Sequence, residues 1–531
     1  MTTSTIVDIF LKGRRPYLWI VLVGLLLYSS TAFFGFTYLD DHILILDNSE
    51  FLGKLSNIVE AFKQDVFHML HEYDAAYRPV LTVSFMADAQ LDRLLGLGYH
   101  FSNIIFHLIA SCLVFLFFLR LKYSETLAFF FSLVFTVHPA LTQAVAWIPG
   151  RNDSLLGIFV LASFIFLLKF LEDERRDYLI WHIVFFLLAL FTKETALALI
   201  PVGALYSVFV MKEKLFSPRQ IRLIAGWLFA VLLWSALRSH ALSGYPVTMP
   251  FIAMLKDLAR SAPAVLMYLG KAVFPVNLSV VPTIEDTTVI YGIASAVIII
   301  AGLTVSKNKR YGMILFGAAW CISFLAPTFI RPVTGSSAIF LESRLYLPIL
   351  GIFVVLGEID AVKNVTFNNR STLACMSAVI GFFFCMSTAY SGYFQNKTVF
   401  WECAAKRSPH SSFAQYNLGW VYNRQGRIDE AAQRYRRALE LNPRQRYAHN
   451  GLGNIYETKG QPERAAAEYA MEIKNTPYYA NAYRNLANIY YRQGDKEKAG
   501  KLWEQALRLN PDDMVVRKLL DMLKEKPERK R

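Results

Sequence analysis

The sequence is poor in charge, in cysteine and in the short motifs of nucleotide and metal chemistry. Charged residues make up only 18% of its 531 residues, whereas 54% are hydrophobic. This apolar fraction exceeds that of an ordinary soluble protein, so most of the chain is predicted to lie in a membrane. The sequence contains no glycine-rich phosphate loop, Cys-x-x-Cys pair or His-Glu-x-x-His stretch, and a nucleotide substrate is therefore not supported.

Cysteine is scarce and follows no pattern. The five cysteines are Cys112, Cys321, Cys375, Cys385 and Cys403, four of them in apolar stretches and no two at the spacing of a metal site. They therefore predict neither a disulfide framework nor a redox compartment. Basic residues outnumber acidic ones, and much of the net charge of +14 falls in the C-terminal quarter of the chain. Anionic lipid headgroups explain this better than nucleic acid, and no nucleic-acid partner is predicted.

The sequence does contain a series of apolar runs, long enough to cross a bilayer core of about 30 Å. The runs lie at about 17–36, 101–119, 124–138, 154–171, 179–192, 195–211, 223–237, 288–306, 311–330, 345–357 and 372–391. Loops rich in lysine and arginine are expected in the cytoplasm. Eleven spans satisfy this rule if the apolar stretch 258–276, with Lys271 and Pro275, does not cross. The predicted fold is all-α, with a polytopic membrane bundle over residues 1–397.

Residues 398–531 form a second region, which repeats with a period of 34 residues. The recurring residues include Tyr422, Tyr456 and Tyr490, Gly426, Gly460 and Gly494, and Pro443, Pro477 and Pro511. This is the tetratricopeptide signature of two helices per repeat. It predicts an α-solenoid with repeats at 412–445, 446–479 and 480–513, followed by a capping helix at about 512–526.

The concave surface of this solenoid is predicted to hold an extended peptide, because asparagine amides can hydrogen-bond a peptide backbone. The predicted groove residues are Asn417, Tyr447, Asn450, Asn454, Asn481, Asn485 and Asn488. A scaffold surface that contacts a partner protein explains the same residues equally well.

An acidic pair, Asp40-Asp41, directly follows the first span and opens an outer loop at 37–98. Ionised groups at this depth are costly and usually mark function. Two adjacent carboxylates here suggest proton transfer or metal binding. The other interpretation is that one of them caps a helix from about residue 48 to residue 70. No cofactor is predicted, although His42 beside the pair leaves a divalent metal open.

Cations are predicted on the same outer face. Arg78 ends the first outer loop, Lys193 lies with Glu194 in a tight turn, and Arg344 precedes another span; Arg331 is a weaker fourth cation. A guanidinium can bind a phosphate through two parallel hydrogen bonds, and we expect Lys193 to face the acidic pair. The alternatives are a simple interfacial anchor for Arg78 and a self-neutralising Lys193-Glu194 pair.

Other ionisable residues at predicted span ends complete the candidate site: His138, Arg151, Asp153 and Glu342. A hairpin would bring His138 and Arg151 to the same face, unless His138 is a helix cap and Arg151 pairs locally with Asp153. Two carboxylates facing several cations at a membrane boundary suit transfer of a group from a lipid-linked phosphate. A carboxylate takes the proton of the acceptor hydroxyl, and the cations stabilise the departing phosphate.

The order of these motifs resembles one family. The motifs are Phe36-Thr37-Tyr38-Leu39-Asp40-Asp41, Tyr77-Arg78-Pro79, Gly98-Tyr99-His100-Phe101-Ser102-Asn103 with His107, His138-Pro139, Gly150-Arg151-Asn152-Asp153, Lys193-Glu194, and Glu342-Ser343-Arg344-Leu345-Tyr346-Leu347-Pro348. With the repeat tail, they are similar to the transmembrane and tetratricopeptide-repeat O-mannosyltransferases of the GT-C glycosyltransferase superfamily. The resemblance covers nearly the whole chain.

The resemblance implies an inverting transfer of a sugar, expected to be mannose, from a polyprenyl-phosphate donor to a Ser or Thr hydroxyl of a protein. Asp40 would be the base, and Asp41 would position the acceptor or tune Asp40. Arg78, Lys193 and Arg344 would bind the lipid phosphate. The repeats would bind the acceptor or a partner. Related enzymes work without a metal, while some other GT-C enzymes need one.

Three repeats are far fewer than the long arrays of the eukaryotic members, and the compact loops look more bacterial. In a bacterium the donor would be undecaprenyl-linked, and the site and repeats would lie on the periplasmic face of the plasma (inner) membrane. In a eukaryote the donor would be dolichyl-linked, and the site would face the lumen of the ER. Two alternatives stay open: a GT-C enzyme with a glycolipid or polysaccharide acceptor, and a non-catalytic membrane scaffold that presents the repeats.

Overall fold

The computed structural model describes residues 9–68, 76–91, 96–214, 216–243, 251–329, 340–367 and 370–524. The chain divides into two compact units. Among the described residues these units are 9–400, the bundle unit, and 401–524, the repeat unit. The division lies three residues from the predicted boundary at 397/398.

The bundle unit is built from helices that follow the apolar runs of the sequence. They are α1 (Arg15–Tyr28), α2 (Pro79–Leu91), α3 (Leu97–Arg120), α4 (Glu125–Val137), α5 (Arg151–Asp173), α6 (Arg176–Thr192), α7 (Pro218–Ala241), α8 (Phe251–Val273), α9 (Ile290–Val305), α10 (Tyr311–Leu325), α11 (Pro348–Leu356) and α12 (Arg370–Ser391). Some begin at clear signals: Ser124 caps α4 by accepting the Leu127 N–H, and Pro218 stands in the first turn of α7. Proline is favoured there because the N–H that it lacks has no partner within a helix.

Among the described residues, six helical segments are long and apolar enough to cross a membrane. They are Arg15–Phe33, Leu97–Arg120, Ile148–Asp173, Pro218–Ala241, Tyr311–Phe329 and Arg370–Phe394. A bent pair, Glu125–Val137 with Pro139–Ala146, raises the number to seven if it counts as one span. Glu194–Val210 and Ile290–Val305 are apolar but shorter. The polytopic helical fold is thus confirmed, while the count of eleven and the status of 258–276 stay predictions.

Over the described residues 48–68, the first outer loop does not form the long helix considered for residues 48–70. Its described part contains the short segments His42–Leu46, Ser49–Leu52, Leu55–Asn57 and Ile58–Ala61, and then helix α2. That helix, as an explanation of the acidic pair, is therefore wrong, and Asp41 makes no side-chain capping bond. The loop instead contributes Leu44, Ile45 and Leu52 to a buried apolar cluster with Phe85 of α2 and Leu155 of α5. This shared core fixes the acidic pair to the same part of the bundle as the start of α5.

The chain between α4 and α5 folds back as a broken helix. Glu125–Val137 and Pro139–Ala146 are bent by 53° at His138. Gly150 closes the turn, since a Cβ there would lie 2.4 Å from the Gln143 carbonyl oxygen. The side-chain amide of Asn103 in α3 donates to the carbonyls of Val145, Trp147 and Ile148 at 3.1–3.2 Å. These bonds satisfy backbone oxygens that the helix break leaves without partners.

The repeat unit consists of helix pairs. After α13 (Lys397–Arg407), which spans the junction, they are α14 (Ser412–Arg424) with α15 (Ile428–Leu441), α16 (Ala448–Thr458) with α17 (Pro462–Asn475), and α18 (Ala480–Arg492) with α19 (Lys496–Leu509). Each predicted repeat range contains one pair, and α20 (Met514–Lys524) follows the last.

An aromatic side chain of each second helix packs on a small residue of the first helix. Tyr435 meets Gly419, where a Cβ would lie 2.9 Å from its ring, and Tyr469 meets Gly453 in the same way. In the third repeat Trp503 and Ala487 belong to one buried cluster. The 34-residue period of small residues is therefore a packing requirement.

Candidate active site

Asp41 is buried and held by the residue that opens its motif. Its Oδ2 accepts the backbone N–H of Thr37 at 2.6 Å and the Thr37 hydroxyl at 3.1 Å. Its Oδ1 is also buried and has no hydrogen-bond partner among the described residues. Burial raises the pKa of the Asp41 carboxyl to about 6; the Thr37 bonds oppose this shift, and the charge of Asp40 adds to it. Asp41 is thus fixed in place but not saturated.

Asp40 is half-buried, and an aromatic stack lies beside the pair. The Tyr38 ring stacks on His42 with centroids 5.7 Å apart, and the Lys397 ammonium lies 4.6 Å from the Tyr38 ring centroid. Tyr38 adopts a left-handed φ of 62°, a conformation that is uncommon for a bulky residue and worth noting at a candidate site. Burial lowers the pKa of His42, while Asp47 opposes that shift. Sequence reasoning missed Lys397, since it lies more than 350 residues from the motif.

Two of the predicted cations line one cavity. Lys193 and Arg344 line a small, partly open cavity together with Asp153 and Thr195. Leu156, Phe324, Leu347 and Pro348 form an apolar wall of the same cavity. The Lys193 ammonium donates to Asp153, and to Asn152 Oδ1 at 3.3 Å. The Thr195 hydroxyl is buried without a hydrogen-bond partner among the described residues. The cavity thus joins positive groups to an apolar surface.

The third predicted cation, Arg78, pairs with Glu194, which lies in the chain between the cavity-lining residues Lys193 and Thr195. The guanidinium of Arg78 donates to Glu194 Oε1 at 3.2 Å, and its Nε has no partner among the described residues. Burial lowers the pKa of Lys193; Asp153 opposes that shift and the positive charge of Arg78 adds to it. The three predicted cations, Arg78, Lys193 and Arg344, thus outnumber the two carboxylates of Asp153 and Glu194, so that this set of side chains has a formal net positive charge.

Lys193 pairs with a carboxylate that the sequence did not identify as its partner. Its hydrogen bonds go to Asn152 and Asp153 rather than to the acidic pair. It does not form a self-neutralising pair with Glu194 either, because Glu194 is paired with Arg78. The physical reason is burial: a lysine that is only 9% exposed requires a carboxylate in direct contact, and Asp153 supplies it.

Arg151 lies in a closed network away from the cavity lining. It is fully buried and pairs with Asp88 of α2. Its Nε donates to Asn103 Oδ1 at 2.8 Å, and a terminal nitrogen donates to the Tyr99 carbonyl at 2.6 Å. The guanidinium also lies 4.7 Å from the Phe85 ring centroid. The local Arg151–Asp153 pair is therefore wrong, since each residue has a different partner.

His138 acts as a structural residue at the helix break. Its Nδ1 accepts the Ala140 N–H at 3.3 Å, so Nε2 carries the proton and donates to the Ala272 carbonyl at 3.1 Å. His138 and Arg151 have no hydrogen-bond partner in common, and their placement on one face stays a prediction. The capping interpretation of His138 is correct.

Glu342 is fully buried and saturated by donors. Its Oε1 accepts the Lys271 ammonium and the Ser279 N–H, and its Oε2 accepts the Tyr390 hydroxyl at 2.8 Å. The sequence showed Lys271 as an unexpected charge in an apolar stretch but did not identify Glu342 as its partner. Glu342 thus supports the turn that carries Arg344. Arg331, the weaker fourth cation, lies outside the described residues.

Several of the predicted groove asparagines bond to each other or to the repeats themselves. The Asn485 amide donates to Asn450 Oδ1 at 3.0 Å and to Asn454 Oδ1 at 3.3 Å, and Asn454 Oδ1 also accepts the Tyr469 hydroxyl. Asn488 Oδ1 accepts the Trp503 indole N–H at 3.1 Å.

Among the remaining groove residues, the asparagine side chains hydrogen-bond close to themselves in the chain, and Tyr447 contacts another aromatic ring. Asn417 donates to Phe413 of its own helix, and Asn481 donates to the Tyr479 hydroxyl at 3.3 Å. The Tyr447 and Tyr479 ring centroids are 4.5 Å apart. The groove is therefore partly an internal network and partly a tyrosine surface.

The described residues contain no group of three or more histidine, cysteine, aspartate or glutamate side chains placed to hold a metal ion.

Taken together, the fold and the site define a class: a helical membrane protein with buried charges at helix ends, joined to a solenoid. Tetratricopeptide-repeat family models match residues 416–480 and 480–513, which confirms the predicted repeats.

Several proteins with similar sequences are all named protein O-mannosyl-transferase. A Caenorhabditis elegans protein named protein O-mannosyl-transferase F38B6.6 is 26% identical over 81% of this chain and 63% of its own length. Human TMTC3 and Drosophila melanogaster Tmtc1, both named protein O-mannosyl-transferases, are 32% and 30% identical over 34% and 33% of this chain and 20% of their own lengths. The chain spans less than two thirds of the length of these relatives. Their names confirm the family resemblance that the order of the motifs indicated.

Proposed function

We propose that this protein is an integral-membrane inverting glycosyltransferase that moves a sugar, mannose, from a polyprenyl-phosphate donor to Ser or Thr hydroxyls of proteins. The observation that carries the proposal is the cavity lined by Lys193, Arg344 and Asp153 on one side and by Phe324 and Leu156 on the other. A lipid-linked phosphate needs both kinds of surface, because its headgroup is anionic and its chain is apolar.

The acidic pair supplies the proton acceptor. Asp40 is the more exposed carboxylate and takes the proton of the acceptor hydroxyl, while Asp41, held by Thr37, fixes the motif. The acceptor oxygen forms a bond to C1 of the sugar as the bond between C1 and the phosphate oxygen breaks. The charge that develops on the leaving phosphate is stabilised by Lys193 and Arg344, with Arg78 adding to the positive field.

The repeat unit would bind the acceptor protein or a partner through the tyrosine surface and the amides of its groove. The names of the relatives support a protein acceptor, and three repeats offer a short binding surface. The acidic pair, the cavity and the repeats would share the non-cytoplasmic side, in the periplasm of a bacterium or the lumen of the ER.

The proposal is tested by sugar transfer in detergent from labelled polyprenyl-phosphate mannose to cell-derived acceptor proteins. Wild type should label proteins, and Asp40→Asn should reduce the rate by 10² to 10⁴-fold, the usual contribution of a general base. Asp47→Asn, at an acidic residue seven positions later, is the matched control and should retain transfer. Full activity of Asp40→Asn would contradict the assignment of the base. Labelled lipid or polysaccharide instead of protein would contradict the acceptor class.

A further inference from the structure

The turn that carries Arg344 is clamped from several sides. Glu342–Leu345 is a single short helical turn, in which Arg344 N–H donates to the Leu341 carbonyl at 3.3 Å. The Tyr346 N–H donates to the Ser343 carbonyl at 3.0 Å. In so tight a turn, any shift of Ser343 is passed on to Arg344. The groups that hold Ser343 therefore fix the backbone from which the Arg344 guanidinium extends.

Gln143, in the broken helix between α4 and α5, holds Ser343 directly. Its side chain is completely buried. Its Oε1 accepts the backbone N–H of Ser343 at 3.1 Å, and its Nε2 donates to the Val280 carbonyl at 3.1 Å. The carboxamide of Gln143 thus connects its own segment to two others, at Val280, 137 residues later in the chain, and at Ser343, 200 residues later.

The two partners also fix which way the amide of Gln143 points. An N–H group can meet only the carboxamide oxygen, and a carbonyl can meet only the carboxamide nitrogen. A reversed amide would place its NH₂ group against the Ser343 N–H and its oxygen against the Val280 carbonyl. Both unsatisfied contacts would be buried, which is costly. Gln143 is therefore matched to its surroundings in a way that neither glutamate nor leucine can reproduce.

We infer that Gln143 is a positioning residue for Arg344: it fixes the Ser343 backbone so that the Arg344 guanidinium lines the cavity beside Lys193. Glu342 secures the other side of the same turn through Ser279 and Tyr390. The inference rests on the proposed function, in which Arg344 binds the phosphate of the donor. It adds a residue that never touches the donor but sets the affinity for it.

The test measures the Kd of a polyprenyl phosphate for the purified full-length protein in detergent. Gln143→Leu, of similar volume, should weaken binding about tenfold, since both hydrogen bonds are lost. Gln143→Glu should also weaken binding, because it keeps the acceptor for Ser343 but opposes the Val280 carbonyl. The control is Ser163→Ala, whose hydroxyl bonds to His182 between α5 and α6 and does not touch the turn; its Kd should match wild type.

A double-mutant cycle separates positioning from a general structural role. In an Arg344→Lys background, Gln143→Leu should change Kd by less than twofold, because the group that it positions is already altered. The Ser163→Ala substitution should behave identically in both backgrounds. A tenfold effect of Gln143→Leu in both backgrounds, or no effect in wild type, would overturn the inference alone. A wild-type Kd for Arg344→Lys itself would contradict the donor assignment in the proposed function, and the inference with it.

Discussion

Two sets of buried polar side chains in the bundle unit contrast in how fully their hydrogen bonds are satisfied. The Arg151 cluster, formed by Asp88, Asn103 and Arg151, directs its guanidinium nitrogens to a carboxylate, an amide oxygen and a backbone carbonyl. In the second group, Arg78 Nε, Asp41 Oδ1 and the Thr195 hydroxyl are buried without partners among the described residues. A charge with no remaining hydrogen-bonding capacity holds a fold together, whereas one with unused capacity is available to a substrate.

The largest expected effect follows from breaking the satisfied cluster. Arg151→Met leaves the Asp88 carboxylate buried without its cation, which should cost about 3–5 kcal/mol of stability. Thermal unfolding in detergent measures this loss. The matched control is Arg222→Met, which removes an exposed ion pair with Glu174 and should cost at most about 1 kcal/mol. Equal losses for the two variants would remove the contrast.

The unsatisfied carboxyl of Asp41 should make the stability of the protein depend on pH. Because burial raises the pKa of Asp41 from 3.8 to about 6, its proton stabilises the folded state below pH 4, and that stabilisation is lost as pH rises to 6. The loss is about 3 kcal/mol at 1.36 kcal/mol per unit. The difference in melting temperature between Asp41→Asn and wild type should therefore grow from pH 4 to pH 6 in favour of the variant. A constant difference would show that Asp41 titrates normally.

A smaller effect is expected where the cavity meets the donor. Arg344→Lys keeps the positive charge but cannot form the two parallel hydrogen bonds by which a guanidinium binds a phosphate. KM for the polyprenyl-phosphate sugar should therefore rise about tenfold without a change in melting temperature. Arg238→Lys, in the last turn of α7 beside Trp234, is the control and should leave KM unchanged. A fall in melting temperature for Arg344→Lys would place this residue with the satisfied cluster.

The smallest effects concern the repeats, where the same contrast recurs. Asn454 bonds to Tyr469 and Asn485, so Asn454→Ala should destabilise the repeat unit by about 1 kcal/mol. Asn481 makes one long bond at 3.3 Å, and Asn481→Ala should leave unfolding unchanged while raising KM for the acceptor protein a few-fold. Unfolding and acceptor titration of both variants would reveal a reversed pattern.

The sequence predicted what depends on local periodicity. The apolar runs became helices, the 34-residue period became helix pairs, and the pattern of helix ends brought Lys193 and Arg344 to one cavity. It did not predict partners that lie far apart in the chain. Arg151 has its carboxylate 63 residues away within an apolar helix, and Gln143 has its partner 200 residues away. Spacing rules describe neighbours on one element, and these contacts depend on how separate elements pack.

The long separations between paired charges have a consequence for biosynthesis. Lys271 is made 71 residues before Glu342, and Arg78 is made 116 residues before Glu194. Each of these two positive side chains therefore leaves the ribosome before the carboxylate that neutralises it, and until then its burial in the bilayer core would be costly. The early hairpins can enter their final positions only after the later ones have been translated. Truncation before Glu342 should accordingly expose Lys271 to the degradation machinery that removes unassembled membrane proteins.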